Sequence, residues 1–182
     1  PGNGLENKSI FSMISTGSSL IVASGAGILR SSNNGSTWIE QSGAWENLAV
    51  HCFIKQGSSL FAGTESGVYR SDDDGITWVA SHDGMNAEIA TLALSADGNT
   101  LFAGASATIG DAGIYRSNDK GKTWNIVNNG LSDPDIRAFH TGNNTIFAGT
   151  SSGLSRYDLK VDLCRTDSGG LPKPGGIVHA TS

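Results

Sequence analysis

The residues that could do chemistry are spread thinly along this chain. Asp111, Asp133 and Glu88 are the carboxylates that could serve as an acid/base pair, because glycoside hydrolysis needs two carboxyl groups at a defined separation. His51 and His82 could carry a proton near neutral pH. Arg137 could hold an anionic group, and Trp45 offers an indole for stacking on a sugar or anchoring a protein contact. No His/Cys/Asp cluster has catalytic zinc spacing, and no glycine loop leads into a helix to cradle a phosphate. No cofactor or metal is therefore expected. The run Asp72-Asp73-Asp74-Gly75 evokes a calcium loop, but an EF-hand also needs a closing Glu, and here Trp78 and a strand pattern follow.

The elements that must position these residues are set by an internal repeat. Four segments match: Gly27-Ile28-Leu29-Arg30, Gly67-Val68-Tyr69-Arg70, Gly113-Ile114-Tyr115-Arg116 and Gly153-Leu154-Ser155-Arg156. Each follows a β-rich run ending in small residues: Leu20 to Ser24, Leu60 to Thr64, Leu101 to Ala105 and Ile146 to Thr150. Three are followed by an octet, Ser-x-Asp/Asn-x-Gly-x-Thr-Trp. Its fixed positions are Ser31, Asn33, Gly35, Thr37 and Trp38; Ser71, Asp73, Gly75, Thr77 and Trp78; and Ser117, Asp119, Gly121, Thr123 and Trp124. The fourth unit reads Ser155-Arg156-Tyr157-Asp158 and has lost the octet.

In the second unit the strands are expected at Val50 to Gln56 (A), Leu60 to Thr64 (B), Gly67 to Asp72 (C) and Thr77 to Ser81 (D). They are short, β-branched or aromatic, and separated by Gly, Asn, Asp and Ser. Four antiparallel strands in roughly forty residues is the signature of a β-propeller blade. The fold class is therefore all-β: a propeller of about four blades, as a partial propeller, a four-bladed ring or half of a larger ring.

The expected boundaries are 9–49, 50–88, 89–135 and 136–164 for the four blades. Residues 1–8, with Asn3-Gly4-Leu5, match the phrase that precedes each A strand and read as the tail of a preceding repeat. With Pro1 in place of a Met, the chain is expected to be a piece of something larger. Residues 165–182 show no repeat and read as a linker. The fourth outer strand is expected between Leu159 and Cys164.

Composition agrees. Of 182 residues, 25 are glycine and only 16% are charged, which suits a turn-rich β protein. The net charge of −5, with no Lys/Arg cluster, argues against nucleic-acid binding and attraction to anionic membranes. No apolar run reaches the length of a membrane span. Cys52 lies in an apolar strand pattern and reads as a small buried hydrophobe; a disulfide to Cys164 stays open.

The octets resemble the Asp box, the bacterial neuraminidase repeat of sialidases, other glycoside hydrolases, sortilin-like receptors and photosystem II assembly-factor-like propellers. The octet's chemistry is local. The Asp or Asn oxygen accepts backbone N–H groups, glycine supplies a positive φ, and Trp packs between blades. Arg30, Arg70, Arg116 and Arg156 evoke a sialidase arginine cluster, but one repeated position cannot converge on one ligand. They are expected to cover blade faces.

Strand order puts the octets, as C–D loops, on one face. The D–A and B–C loops share the other, where the resemblance implies a ligand site. That face is expected to hold Trp45, Glu46, His82, Asp83, Met85, Glu88, Asp133, Asp135 and the third unit's B–C insertion, Ser106 to Asp111. His51 and Arg137 align in two A strands, where the other units have Phe11 and Ala90. The expected function is a non-enzymatic binding or assembly module for a protein or glycan, outside the cytoplasm (extracellular or periplasmic), completed by another chain or further repeats. The alternatives are a fragment of an Asp-box glycoside hydrolase and a propeller lectin.

Overall fold

The computed structural model describes residues 4–41, 48–86, 89–106, 111–142 and 144–159, and the backbone of 163–166. The strands form four sheets, each ordered as the chain runs and each antiparallel. The first holds β1 (Ile10–Ser15), β2 (Leu20–Ser24), β3 (Gly27–Ser31) and β4 (Ile39–Glu40). The second holds β5 (Val50–Gln56), β6 (Ser59–Thr64), β7 (Gly67–Ser71) and β8 (Val79–Ala80). The third holds β9 (Ala90–Asp97), β10 (Thr100–Ser106), β11 (Gly113–Ser117) and β12 (Asn125–Ile126). The fourth holds β13 (Ile136–Gly142), β14 (Thr145–Thr150), β15 (Gly153–Asp158) and β16 (Leu163–Thr166). These are the A to D strands of four propeller blades. The last D strand lies at Leu163–Thr166 rather than between Leu159 and Cys164. Without an octet, β15 runs on to Asp158, and the Leu159 N–H turns back to the Asn144 carbonyl.

In the first three blades the B and C strands are buried on both sides, as blade interiors must be. Three apolar clusters lie between successive blades. Ile21, Ala23 and Ile28 meet Val50, Leu60, Ala62 and Tyr69. Phe61 and Val68 meet Met85, Ile89, Leu101, Ala103, Tyr115 and Trp124. Phe102 and Ile114 meet Ile136, Ile146, Ala148 and Tyr157. Among the described residues no such cluster joins the fourth blade to the first, so the four blades form an open arc.

The octets hold the seams from one face. In the second, the Ser71 hydroxyl donates to Asp73 at 2.8 Å and accepts from the Gly75 N–H at 2.9 Å. Asp73 also accepts the Thr77 N–H at 2.8 Å and the Thr77 hydroxyl at 2.6 Å. The third repeats this with Ser117, Asp119, Gly121 and Thr123. In the first, Asn33 makes the same acceptor bond to the Thr37 N–H at 2.9 Å, and its amide donates to the Thr37 hydroxyl. Gly75 needs its φ of 78°, and the residue before it, Asp74, is itself left-handed at 57°.

Hydrogen bonds from Thr77 and Thr123, side chain first, hold the Asp73 and Asp119 carboxyls at about 2, down from an ordinary 3.8. A depressed folded-state pKa adds stability that is complete above the ordinary value and lost as pH falls through the folded one. Stability should therefore drop between about pH 4 and about pH 2. Asp73→Asn, which copies Asn33, should flatten part of that drop in denaturant midpoints measured across this range.

The pre-octet arginine also bridges blades. Arg70 pairs with Asp72 at 2.8 Å, lies over the Phe61 ring, and donates to the Lys120 carbonyl of the next blade's octet at 3.2 Å. Cys52 turns its sulfur toward the next blade, 3.9 Å from the Thr91 carbonyl, and burial pushes its thiol up to about 12. It is a free thiol.

Candidate functional site

The D–A/B–C face is built on a bulge at the start of every A strand. In β1, β5 and β13 the pairing skips one residue, between Ile10 and Ser12, Val50 and Cys52, and Ile136 and Ala138. In β9 the shift falls opposite Gly104/Ala105, whose partners are Ala93 and Thr91. The extra residues are thus Phe11, His51, Leu92 and Arg137. The phrase before strand A places Ala90 opposite His51. The hairpin to strand B places Leu92 there instead, because Phe11, His51, Leu92 and Arg137 each precede Ile21, Phe61, Phe102 and Phe147 by ten residues. A bulge re-aims its side chain out of the ladder, and here it does so at the mouth of the arc.

His51 sits beside Phe11, ring centroids 5.8 Å apart. Phe11 is 53% exposed. The His51 Nε2 is buried without a hydrogen-bond partner, and desolvation lowers the ring's pKa against the opposing pull of Glu65. His51 is therefore neutral at pH 7. Arg137 is exposed and paired with Asp135 at 2.8 Å.

The carboxylates do not stand free as a pair. Asp133 accepts the Asp135 N–H at 3.0 Å, the Ser151 hydroxyl at 2.7 Å, the Ser152 N–H at 2.8 Å, and the Ser152 hydroxyl. It pins the incoming D–A loop to the fourth blade's B–C turn. These donors, the Ser152 hydroxyl first, hold it far below the usual carboxylate range. Asp111 lies elsewhere, in an open cleft of about 360 Å³ with Gly84, Asn86, Tyr115 and Trp124. Its carbonyl accepts the Tyr115 hydroxyl at 2.6 Å.

His82 is a clamp. Its Nδ1 lies 3.2 Å from the Val68 carbonyl, and its ring meets Tyr69 edge-on. Asn128 fills the same repeat position one blade on, accepting the Ile114 N–H and donating to the Ala112 carbonyl. The shared offset from Gly67 and Gly113 was the signal, visible in the sequence, that both side chains close a B–C hairpin. Trp45 and Glu88, and the insertion residues 107–110, lie outside the described residues. Among the described residues no group of three His, Cys, Asp or Glu could hold a metal ion, and no helix is long and apolar enough to cross a membrane.

No curated protein matches the chain. Solved propellers do. The extracellular domain of BT4673 from B. thetaiotaomicron aligns over 100% of this chain and 23% of its own, at 20% identity and a TM-score of 0.72. An ancestral GH74 enzyme aligns over 86% and 23%, at 16% and 0.67. YCF48 bound to D1 peptide aligns over 88% and 52%, at 15% and 0.64. The chain thus spans about a quarter of the first two structures and about half of the third. At these identities the likeness is one of fold. A family model, the DUF6242 beta propeller domain, matches residues 5–128, more than half of the chain. The chain therefore belongs to the DUF6242 beta propeller domain family.

Proposed function

We propose that this chain is a non-enzymatic binding module whose D–A/B–C face docks a protein segment. The observation that carries this reading is the bulge pair at the mouth of the arc. An exposed Phe11 lies against a neutral His51 whose buried Nε2 has no partner within the protein. Buried polar atoms are normally satisfied, so the His51 Nε2 suits a docking segment that moves the exposed Phe11 ring aside and supplies the missing bond. Arg137 supplies an exposed cation on the same strand position of the fourth blade. The peptide held by YCF48 and the extracellular setting of the BT4673 domain support binding outside the cytoplasm by such scaffolds.

A catalytic acid must hold a proton at working pH, and Asp133 is held far below that range by its hydrogen bonds. The rival reading, a fragment of a glycoside hydrolase, rests on Asp111 in its open cleft and on the fold of the GH74 enzyme.

Peptide and glycan arrays probed with the whole chain separate these readings. A captured peptide whose affinity falls at least tenfold, about 1.4 kcal/mol, in His51→Ala, with unfolding unchanged, is the expected result. Hydrolysis of a defined glycan that disappears in Asp111→Asn would replace binding with catalysis.

A further inference from the structure

Every seam between neighbouring blades reuses one set of contacts. On the leading side stands one residue of strand B with the second residue of strand C. These are Ile21 with Ile28, Phe61 with Val68, and Phe102 with Ile114, none more than 1% exposed. Two residues further along strand B the side chain is small. A Cβ on Gly63 would lie 2.6 Å from the Thr91 carbonyl oxygen of the next blade. On Gly104 it would lie 2.4 Å from Ile136 Cγ2. The octet glycine of the following blade receives the reciprocal contact. A Cβ on Gly75 would meet Ile21 at 2.3 Å, and one on Gly121 would meet Phe61 at 2.7 Å.

Among the described residues the two ends of the arc carry the same parts with several of these contacts missing, although Val22 and Leu29 of the first blade are each 1% exposed. On the fourth blade the leading set is Phe147, Gly149 and Leu154. Leu154 is 45% exposed, and among the described residues a Cβ on Gly149 would meet only Ala138 of its own blade, at 3.6 Å. Gly149 has no left-handed φ, so neither its backbone nor its surroundings within the chain require glycine. On the first blade Ile10 and Met13 are 39% and 61% exposed, whereas Ile10's counterparts Val50 and Ile136 are 0% exposed. Among the described residues the first octet's Gly35 faces only Trp38 and Leu20 of its own blade.

We propose that two copies of this chain dock head to tail, the first blade of each seated on the fourth blade of the other. Ile10 of one copy lies over Gly149 of its mate, as Ile136 lies over Gly104 within the chain. Phe147 lies over Gly35, as Phe61 lies over Gly121. Arg156, at the position of Arg70, reaches the Asn34 carbonyl as Arg70 reaches that of Lys120. A second copy is the occupant the faces fit, because one molecule then supplies the isoleucine, the octet glycine and the octet carbonyl that a fourth-blade seat needs. Such a contact joins two different surfaces, so it closes a ring or grows without limit, depending on its rotation. The closed form proposed for this contact is a ring of two four-bladed arcs.

Light scattering on the whole chain, at up to ~100 μM so that any pairing tighter than that is populated, tests this. The expected result is a species of twice the 18.8 kDa chain mass. Gly149→Val, which has room in the single chain, should weaken pairing at least tenfold with unfolding unchanged. Adding Ile10→Ala, which removes the facing side chain, should restore part of it. Exposed Ile10→Asp should also block pairing and gives a second variant if the first fails to fold. A single-chain mass throughout, as expected if a different protein or further blades occupy these faces, would overturn the proposal. So would a dimer untouched by either blocking variant, or open assemblies of rising mass.

Discussion

Trp124→Ala should destabilise the chain by about 3–5 kcal/mol, as for other buried large-to-small changes, and Trp38→Ala by less than half of that. The two residues end the same octet. Trp124 is 2% exposed, lies within the second seam, and donates to the Ser81 carbonyl at 2.7 Å and the Gly121 carbonyl at 3.1 Å. Ser81 belongs to the preceding blade. Removing the indole leaves a cavity between blades and the Ser81 carbonyl short of a donor, while the Gly121 carbonyl keeps the Ser81 hydroxyl at 2.6 Å. Among the described residues the Trp38 indole donates only to Gly35 of its own octet, at 3.1 Å, and Trp38 lies against the Gly4 segment rather than a complete preceding blade. Denaturant titration of both variants measures the difference. Equal losses would mean that the octet's own turn, rather than the seam, sets the tryptophan's value.

Gly104→Ala should cost about 1–3 kcal/mol by overpacking, while Gly149→Ala should stay within about 0.5 kcal/mol in the dilute single chain. The added methyl at Gly104 would press on Ile136 Cγ2 at 2.4 Å, Ile136 Cβ at 2.9 Å and the Phe139 ring at 3.0 Å. Those atoms belong to the next blade's inner strand, so relief requires the seam to open. Neither glycine has a left-handed φ, which removes backbone strain as an explanation for either result. Unfolding midpoints at sub-micromolar chain, where pairing between copies is absent, are the measurement.

The repeat and its octets were legible because their chemistry is local. Ser, Asp, Gly, Thr and Trp close one turn on themselves, so spacing alone identifies it. Asn33 could be read as equivalent to Asp73 for the same reason, since both present an oxygen to the same N–H. The B–C–D register carried less information where it depends on pairing. Leu92 rather than Ala90 shares the bulge with His51, because the register follows the hairpin to strand B and not the phrase that precedes strand A. His82 and Asp133 looked like site residues because exposed polar side chains on loops commonly are. Their partners, the Val68 carbonyl and the Ser151–Ser152 turn, lie on other segments and became visible only in three dimensions. The open ends were similarly hidden. Gly149 matches Gly63 and Gly104 letter for letter, and only the space beyond it differs.

The account stands on four blades forming an open arc, and one cross-linking measurement tests that directly. Ile10→Cys and Gly149→Cys, placed together in a chain with Cys52→Ser and Cys164→Ser, can join only where their Cα atoms come within about 7 Å. Oxidation followed by denaturing gel and mass analysis reports which chains are joined. The open arc with head-to-tail docking predicts a covalent dimer and no internal bridge. A disulfide closed within one chain would show the first and fourth blades meeting as a four-bladed ring, and would contradict the account.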